Sequence, residues 1–173
     1  FNGWGNKFTA TEDNLANQRY LASMCKSVLR SSPIVAEGGA LEIDEDGHLL
    51  STAQCLLNPE RNGDMSLSAY EDAFKDMLGC SKVTILQHGH LEGDDTDGHI
   101  DTLVRFTPNK GLVVQACNNR PNDSHFEGLK ALCDECALEL PEHEQFHLPL
   151  PNIVNDEGSR LPASYANYLI CNN

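Results

Sequence analysis

Basic residues are scarce: 12 Lys and Arg stand against 26 Asp and Glu among 173 residues, a formal net charge of −14. A protein that neutralises nucleic-acid phosphates needs a basic patch, and these cations are few and scattered, which argues against a nucleic-acid partner. Long apolar runs are missing as well. None approaches the ~20 residues that span a bilayer, so no membrane partner is expected. The opening Phe1-Asn2-Gly3-Trp4 lacks the basic start and apolar centre of a secretory signal. Hydrophobic residues at 40% and charged residues at 22% are ordinary for one soluble globular domain. Cys residues number 7, an odd count at irregular spacing, which fits reduced thiols and a cytoplasmic setting better than a disulfide framework. The acidic surface suits solubility and the attraction of small cations.

Periodicity predicts a helix over 12–30, with Leu21, Met24, Cys25, Val28 and Leu29 on one apolar face, Thr9 and Glu12 at capping-box spacing, and Ser31-Ser32-Pro33 as its stop. Ile34-Val35 and Leu41-Glu42-Ile43 read as extended, with a turn at Asp44-Glu45-Asp46-Gly47 before Leu49-Leu50. Residues 58–63 read as loop, 67–78 as a helix capped at Ser68 and Glu71, and 83–86 as a strand. The order then recurs: strand 102–106, turn 108–111, strand 112–116, helix 123–140, strand 146–148, and a further strand Tyr168-Leu169-Ile170 that opens a third unit. Cys117-Asn118-Asn119 and Cys171-Asn172-Asn173 echo one another weakly. A chain that stops on an uncovered apolar strand leaves that strand's face and edge open, so 173 residues are expected to be less than the whole natural fold.

Polar residues concentrate over 88–101, where three His, one Glu and four Asp fall between a strand and a hairpin. His99 and Asp101 stand two apart, which in an extended segment points both to one face. Imidazole is the side chain best poised for proton transfer near neutrality, and a carboxylate supplies fixed negative charge for a cation. Glu37-Gly38-Gly39 puts an acid beside two residues that permit a tight bend and close backbone approach. Three metal patterns compete with this reading. Cys133, Cys136, His143 and His147 resemble half of a zinc finger, but the spacer is too short and both Cys fall on an apolar helical stripe. Asp94, Asp95 and Asp97 lack the spaced acceptors and closing Glu of a calcium loop. His88 and His90 with the acids that follow could hold a divalent ion for hydrolysis, and that is the serious rival.

Five blocks carry a family resemblance: Phe1-Asn-Gly-Trp-Gly-Asn-Lys-Phe8, Glu37-Gly-Gly-Ala-Leu-Glu42, Leu57-Asn-Pro-Glu-Arg-Asn62, Gly93-Asp-Asp-Thr-Asp-Gly-His-Ile-Asp101 and Leu161-Pro-Ala-Ser-Tyr-Ala-Asn167. In this order they resemble the agmatine deiminase and bacterial-type peptidylarginine deiminase family, over nearly the whole chain. The resemblance implies an α/β pentein, a ring of five ββαβ units, of which about two and a half fall within 1–173. It also implies a single deiminase-like domain, incomplete at both ends. Implied too is hydrolysis of a guanidinium, with agmatine favoured over arginine and peptidyl arginine, and a small cationic guanidine as partner. No metal or cofactor is implied.

By the same resemblance, Glu37 and Asp101 match positions that hold the guanidinium, His99 matches the general acid/base, and Trp4 falls in a block that lines the pocket or packs in the core. The family nucleophile is a Cys thiolate after a Gly-rich stretch ending His-Cys. None of the seven Cys here follows a His, so this chain alone is expected to bind guanidines weakly and turn nothing over. Two alternatives stand beside this: a metal-dependent hydrolase built on His88 and His90, and a non-catalytic guanidine-binding relative. Arg105 and Arg160 are the cations available for an arginine α-carboxylate. A homo-oligomer is left open.

Overall fold

The computed structural model describes residues 1–26 and 28–171; the Asn172-Asn173 part of the Cys-Asn-Asn echo lies outside the described residues. The chain begins with a one-turn helix α1 (Gly3–Asn6) and a longer helical stretch made of α2 (Thr11–Ala16), a π-turn (Asn17–Leu21) and α3 (Ala22–Cys25). Two units of like construction follow. In the first, a 3₁₀ turn (Gly38–Ala40) leads into β1 (Glu42–Ile43), β2 (His48–Thr52), the short helices α4 (Ala53–Leu56) and α5 (Pro59–Asn62), α6 (Leu67–Leu78) and β3 (Lys82–Leu86). In the second, a 3₁₀ turn (Ile100–Thr102) leads into β4 (Val104–Thr107), β5 (Gly111–Gln115), α7 (Phe126–Glu139) and β6 (Glu144–Leu148).

Each unit forms its own sheet. β1 runs antiparallel to β2 and β2 parallel to β3, and β4, β5 and β6 repeat that arrangement. The helix between the second and third strands is the crossover that a parallel pair requires. The repeat expected from sequence is therefore present as two complete ββαβ units. β2 is buried along its whole length. Because neighbouring residues on a strand face opposite sides, Leu49 packs with Tyr70 and Phe74 of α6, while Leu50 joins the core shared with Leu103, Val104, Leu129 and Leu132 of the second unit. Cys133 and Cys136 lie in that same core, so the zinc-finger-like spacing is a packing pattern. Cys55, Cys80, Cys117, Cys133 and Cys136 are buried free thiols.

Several elements depart from the sequence reading. The first helix ends at Cys25, where Lys26 is left-handed, and its apolar face is not buried: Met24 is 76% exposed. The π-turn adds a residue to one turn, which breaks the 3.6-residue stripe that the periodicity assumed. No side chain caps α2, which starts after Ala10. Ile34-Val35 forms no strand among the described residues. Residues 59–62 are helical because Asn58 caps them and Pro59 occupies the first position, where a missing N–H costs nothing. The cap of α6 is Ser66, which accepts from the Ala69 N–H at 3.3 Å. Residues 168–170 form no strand. The Tyr168 carbonyl instead accepts from Arg105 Nη1 at 2.7 Å, and the Arg105 guanidinium lies 5.0 Å from the Tyr168 ring centroid. Among the described residues no helix is long and apolar enough to cross a membrane.

Candidate active site

The two 3₁₀ turns meet. Each precedes the first strand of its unit, so equivalent corners of the repeat face one another. Glu37 and His99 hold equivalent places, 62 residues apart, as do Gly39 and Asp101, and Cys55 and Cys117. The approach is close because residue 39 has no side chain. A Cβ there would lie 2.6 Å from Asp101 Oδ2 and 2.7 Å from His99 Nδ1. Asp101 and His99 share a face through this tight turn, not through the strand alternation expected, since β4 starts only at Val104.

The loop before His99 is folded by its own acids. Asp94 Oδ1 accepts from the Thr96 N–H and hydroxyl at 2.9 and 2.6 Å, and Asp94 Oδ2 accepts from the Gly98 N–H at 2.6 Å. Asp97 takes a left-handed φ of 65°, and Gly98 follows at 73°. The Gly98 carbonyl accepts from the Thr52 hydroxyl at 2.7 Å, which ties this loop to the end of β2. The acidic run is thus a built corner and not a solvated stretch.

Glu37 is held by Arg61 of α5, a residue the sequence reading left in a loop. Arg61 Nε donates to both Glu37 oxygens at 3.1 Å, Nη1 donates to Asp97 Oδ2 at 2.7 Å, and Nη2 donates to the Thr96 carbonyl at 2.8 Å. Lys7 donates to Asp97 Oδ1 at 2.5 Å. Burial alone raises the Glu37 carboxyl, but the adjacent His99 ring and the Arg61 guanidinium outweigh it and hold the group at about 2. His99 Nε2 makes an ion-pair contact with Glu37 Oε2 at 3.6 Å, and among the described residues this buried nitrogen has no hydrogen-bond partner. Burial pushes the Asp101 carboxyl above its usual range, opposed by His99 and Arg105. Cys55 Sγ lies 4.0 Å from Glu37 Oε2. Burial drives that thiol up to about 12, against the lowering effect of Arg61. Cys55 was no candidate from sequence; the fold brings it in through the cap that Thr52 provides to the Cys55 N–H.

Glu37, His99 and Asp101 open onto one cavity of ≈ 530 Å³, together with Trp4, Gly39 and Asp13. Trp4 reaches it from a left-handed φ of 54° and packs edge-on between Phe1 and Phe8, with centroids 5.4 and 5.5 Å away. Among the described residues no Lys or Arg lines this cavity. Arg105 is paired with Glu42 at 2.7 Å and Arg160 with Asp123 at 2.7 Å, so neither is free for a carboxylate. Another depression of ≈ 440 Å³ lies between β1 and β4 and holds none of the four predicted site residues. The rival metal centre does not assemble. His88 Nδ1 is 3.0 Å from Glu135 of α7, and among the described residues His88 and His90 do not converge with the acidic loop.

Two ββαβ units of this arrangement belong to the pentein fold of the agmatine and arginine deiminases. The chain belongs to the Porphyromonas-type peptidyl-arginine deiminase family, which it matches over residues 1–173. A C. jejuni agmatine deiminase, solved as a cysteine-to-serine variant with substrate bound, is 33% identical and superposes with a TM-score of 0.91 over 100% of this chain and 51% of that one. A Porphyromonas gingivalis structure provisionally titled an arginine deiminase is 41% identical, with a TM-score of 0.86 over 98% of this chain and 52% of that one. A Vibrio parahaemolyticus relative, provisionally named an agmatine deiminase, is 33% identical over 99% of this chain and 54% of its own length. The chain thus spans about half the length of the curated relatives it matches.

Proposed function

We propose that this chain carries the guanidinium cradle and the proton-transfer group of an enzyme that hydrolyses agmatine to N-carbamoylputrescine and ammonia. The convergence of Glu37, His99 and Asp101 on one acidic cavity carries the reading. A guanidinium is planar and stays protonated, with a pKa above ~12. Burying it costs several kcal/mol unless it is paired, and carboxylates pair with its N–H fork. Arg61 takes one lone pair on each Glu37 oxygen and leaves the others for a ligand. Asp101, pushed up by burial, gains a cation that favours its charged form. Trp4 walls the pocket.

In the reaction, a thiolate attacks the central guanidinium carbon and the C–N bond breaks. His99 protonates the departing ammonia. It then takes a proton from water as the C–S bond breaks and the urea forms. Cys55 is fully buried and does not line the cavity, and burial raises its thiol, so it is not assigned as that thiolate. The nucleophile is not supplied by the site these residues build. Among the described residues no Lys or Arg faces the cavity to receive an α-carboxylate, which supports agmatine over arginine. Buried free thiols fit a reducing, cytoplasmic setting.

The test is an NMR titration of the chain with agmatine, putrescine and arginine. Agmatine should shift the resonances of residues 37–39 and 99–101, putrescine should not, and arginine should bind more weakly. Equal affinity for arginine, or shifts elsewhere, would overturn the reading. In a longer polypeptide that includes a nucleophile, ammonia release retained by His99→Gln would reject the role of that imidazole.

A further inference from the structure

We infer that Glu37, Cys55 and His99 form a binding site for a thiophilic divalent cation of the zinc type. Their donor atoms all lie within 4.8 Å of one another, and all three residues are buried. A tetrahedral zinc centre has Zn–S near ~2.3 Å and Zn–N and Zn–O near ~2.0–2.2 Å, which sets donor atoms ~3.3–3.7 Å apart. Glu37 Oε2 to His99 Nε2 is already 3.6 Å, and Cys55 Sγ to Glu37 Oε2 is 4.0 Å. A second observation points to a ligand. His99 is 6% exposed, and its Nε2 is buried with no hydrogen-bond partner. Buried polar atoms are ordinarily satisfied, and this nitrogen instead faces Glu37 Oε2 across 3.6 Å, a separation that a cation ligated by both would bridge.

The donor set is a thiol, an imidazole and a carboxylate, the mixture that zinc takes with three protein ligands and one open position. The open position faces the cavity, onto which Glu37 and His99 both give. Local charge favours a cation. Glu37, Asp94, Asp97 and Asp101 surround the corner, while Lys7 and Arg61 are the cations bonded to that group. Arg61 need not leave, because it can keep Glu37 Oε1 while Oε2 turns to the metal. Cys55 releases its proton to water as the sulfur–metal bond forms, so binding strengthens with rising pH. A metal so held occupies Glu37 and His99 and excludes a guanidinium. That exclusion rests on the function proposed above; the metal site does not.

Cobalt(II) serves as the probe, because a thiolate ligand gives it a near-ultraviolet charge-transfer band. Titration of the chain should give that band at one equivalent, removed by competing zinc. Cys55→Ser should abolish the band while keeping agmatine binding. His99→Gln should weaken cobalt by at least the ~10–100-fold typical of losing even a supporting group. Circular dichroism checks that both variants fold, and the two report independently if one does not. Absence of the band, or its persistence in Cys55→Ser, would overturn the site, as would undiminished affinity in a folded His99→Gln. Excess agmatine should lower cobalt affinity. Metal binding that ignores agmatine would count against the guanidine reading and leave the metal site standing.

Discussion

Arg61 and Glu37 form a buried ion pair in which one guanidinium nitrogen reaches both carboxylate oxygens at 3.1 Å, and the Arg61 side chain is wholly removed from solvent. The same guanidinium reaches Asp97 and the Thr96 carbonyl. It therefore joins the two loops that present Glu37 and His99. Breaking a buried pair from one side leaves an uncompensated charge. Arg61→Met should destabilise the fold by roughly 3–5 kcal/mol, read from urea unfolding. Arg61→Lys keeps the charge but not the fork, and should recover only part of that loss. A change within 0.5 kcal/mol for Arg61→Met would remove the pair from its central place.

Glu37 also sets an acid limit. Its carboxyl is lowered from 4.5 to about 2 by the His99 ring and Arg61, which offset its burial. A depressed folded value means that the unfolded chain binds the proton first as pH falls. The stabilisation is present above about 4.5 and is lost as pH drops toward about 2. Wild-type stability should therefore fall through that window. Glu37→Gln should be less stable at neutral pH and show a shallower fall. Parallel curves for the two proteins would contradict the assignment.

The buried thiols set an alkaline limit of opposite sign. Burial raises Cys55 and Cys136 from 9.0 to about 12, and Cys133 to about 11. Between those values the unfolded chain gives up protons that the folded chain keeps, so stability falls as pH rises from 9. Cys136→Ala should flatten this alkaline slope, at a cost in packing that is the same at every pH. Unfolding curves at pH 8 and 10.5 for the variant and the parent provide the comparison.

The repeat and the site were legible in sequence to different depths. The apolar pair Leu49-Leu50 and the stripe of Tyr70 and Phe74 report burial directly, and burial is what pattern encodes. Residues 12–30 carried a stripe just as regular, yet the π-turn at Asn17–Leu21 disrupts it, and no composition signal marks a π-turn. His99 and Asp101 were singled out by their chemistry and spacing, and Glu37 beside its glycines gained its role from the family resemblance. The geometry that joins them was not readable, because it depends on two turns 62 residues apart meeting across Gly39. Arg61 fell in the Leu57–Asn62 resemblance block but gained no role there, because a buried arginine and an exposed one are spelled alike and the helix start at Asn58-Pro59 was read as loop. Tyr168 to Ile170 looked like a strand because strand propensity says nothing about whether a partner edge is at hand.

Gly39 gives the sharpest test of that meeting. Its φ is ordinary, so alanine there would bring no backbone strain. The whole effect of Gly39→Ala would come from a methyl placed 2.6 Å from Asp101 Oδ2 and 2.7 Å from His99 Nδ1. Such overpacking costs roughly 1–3 kcal/mol of stability. The function should suffer more than the fold, because both displaced groups face the ligand. Loss of one charge-assisted hydrogen bond, worth ~1.5–3 kcal/mol, should weaken agmatine binding by ~10–100-fold. Gly128→Ala on α7, whose Cβ would meet nothing within 4 Å and which lies outside the cavity, is the control and should bind like the parent. If the two variants bound agmatine equally well, the guanidinium would not lie between the two turns.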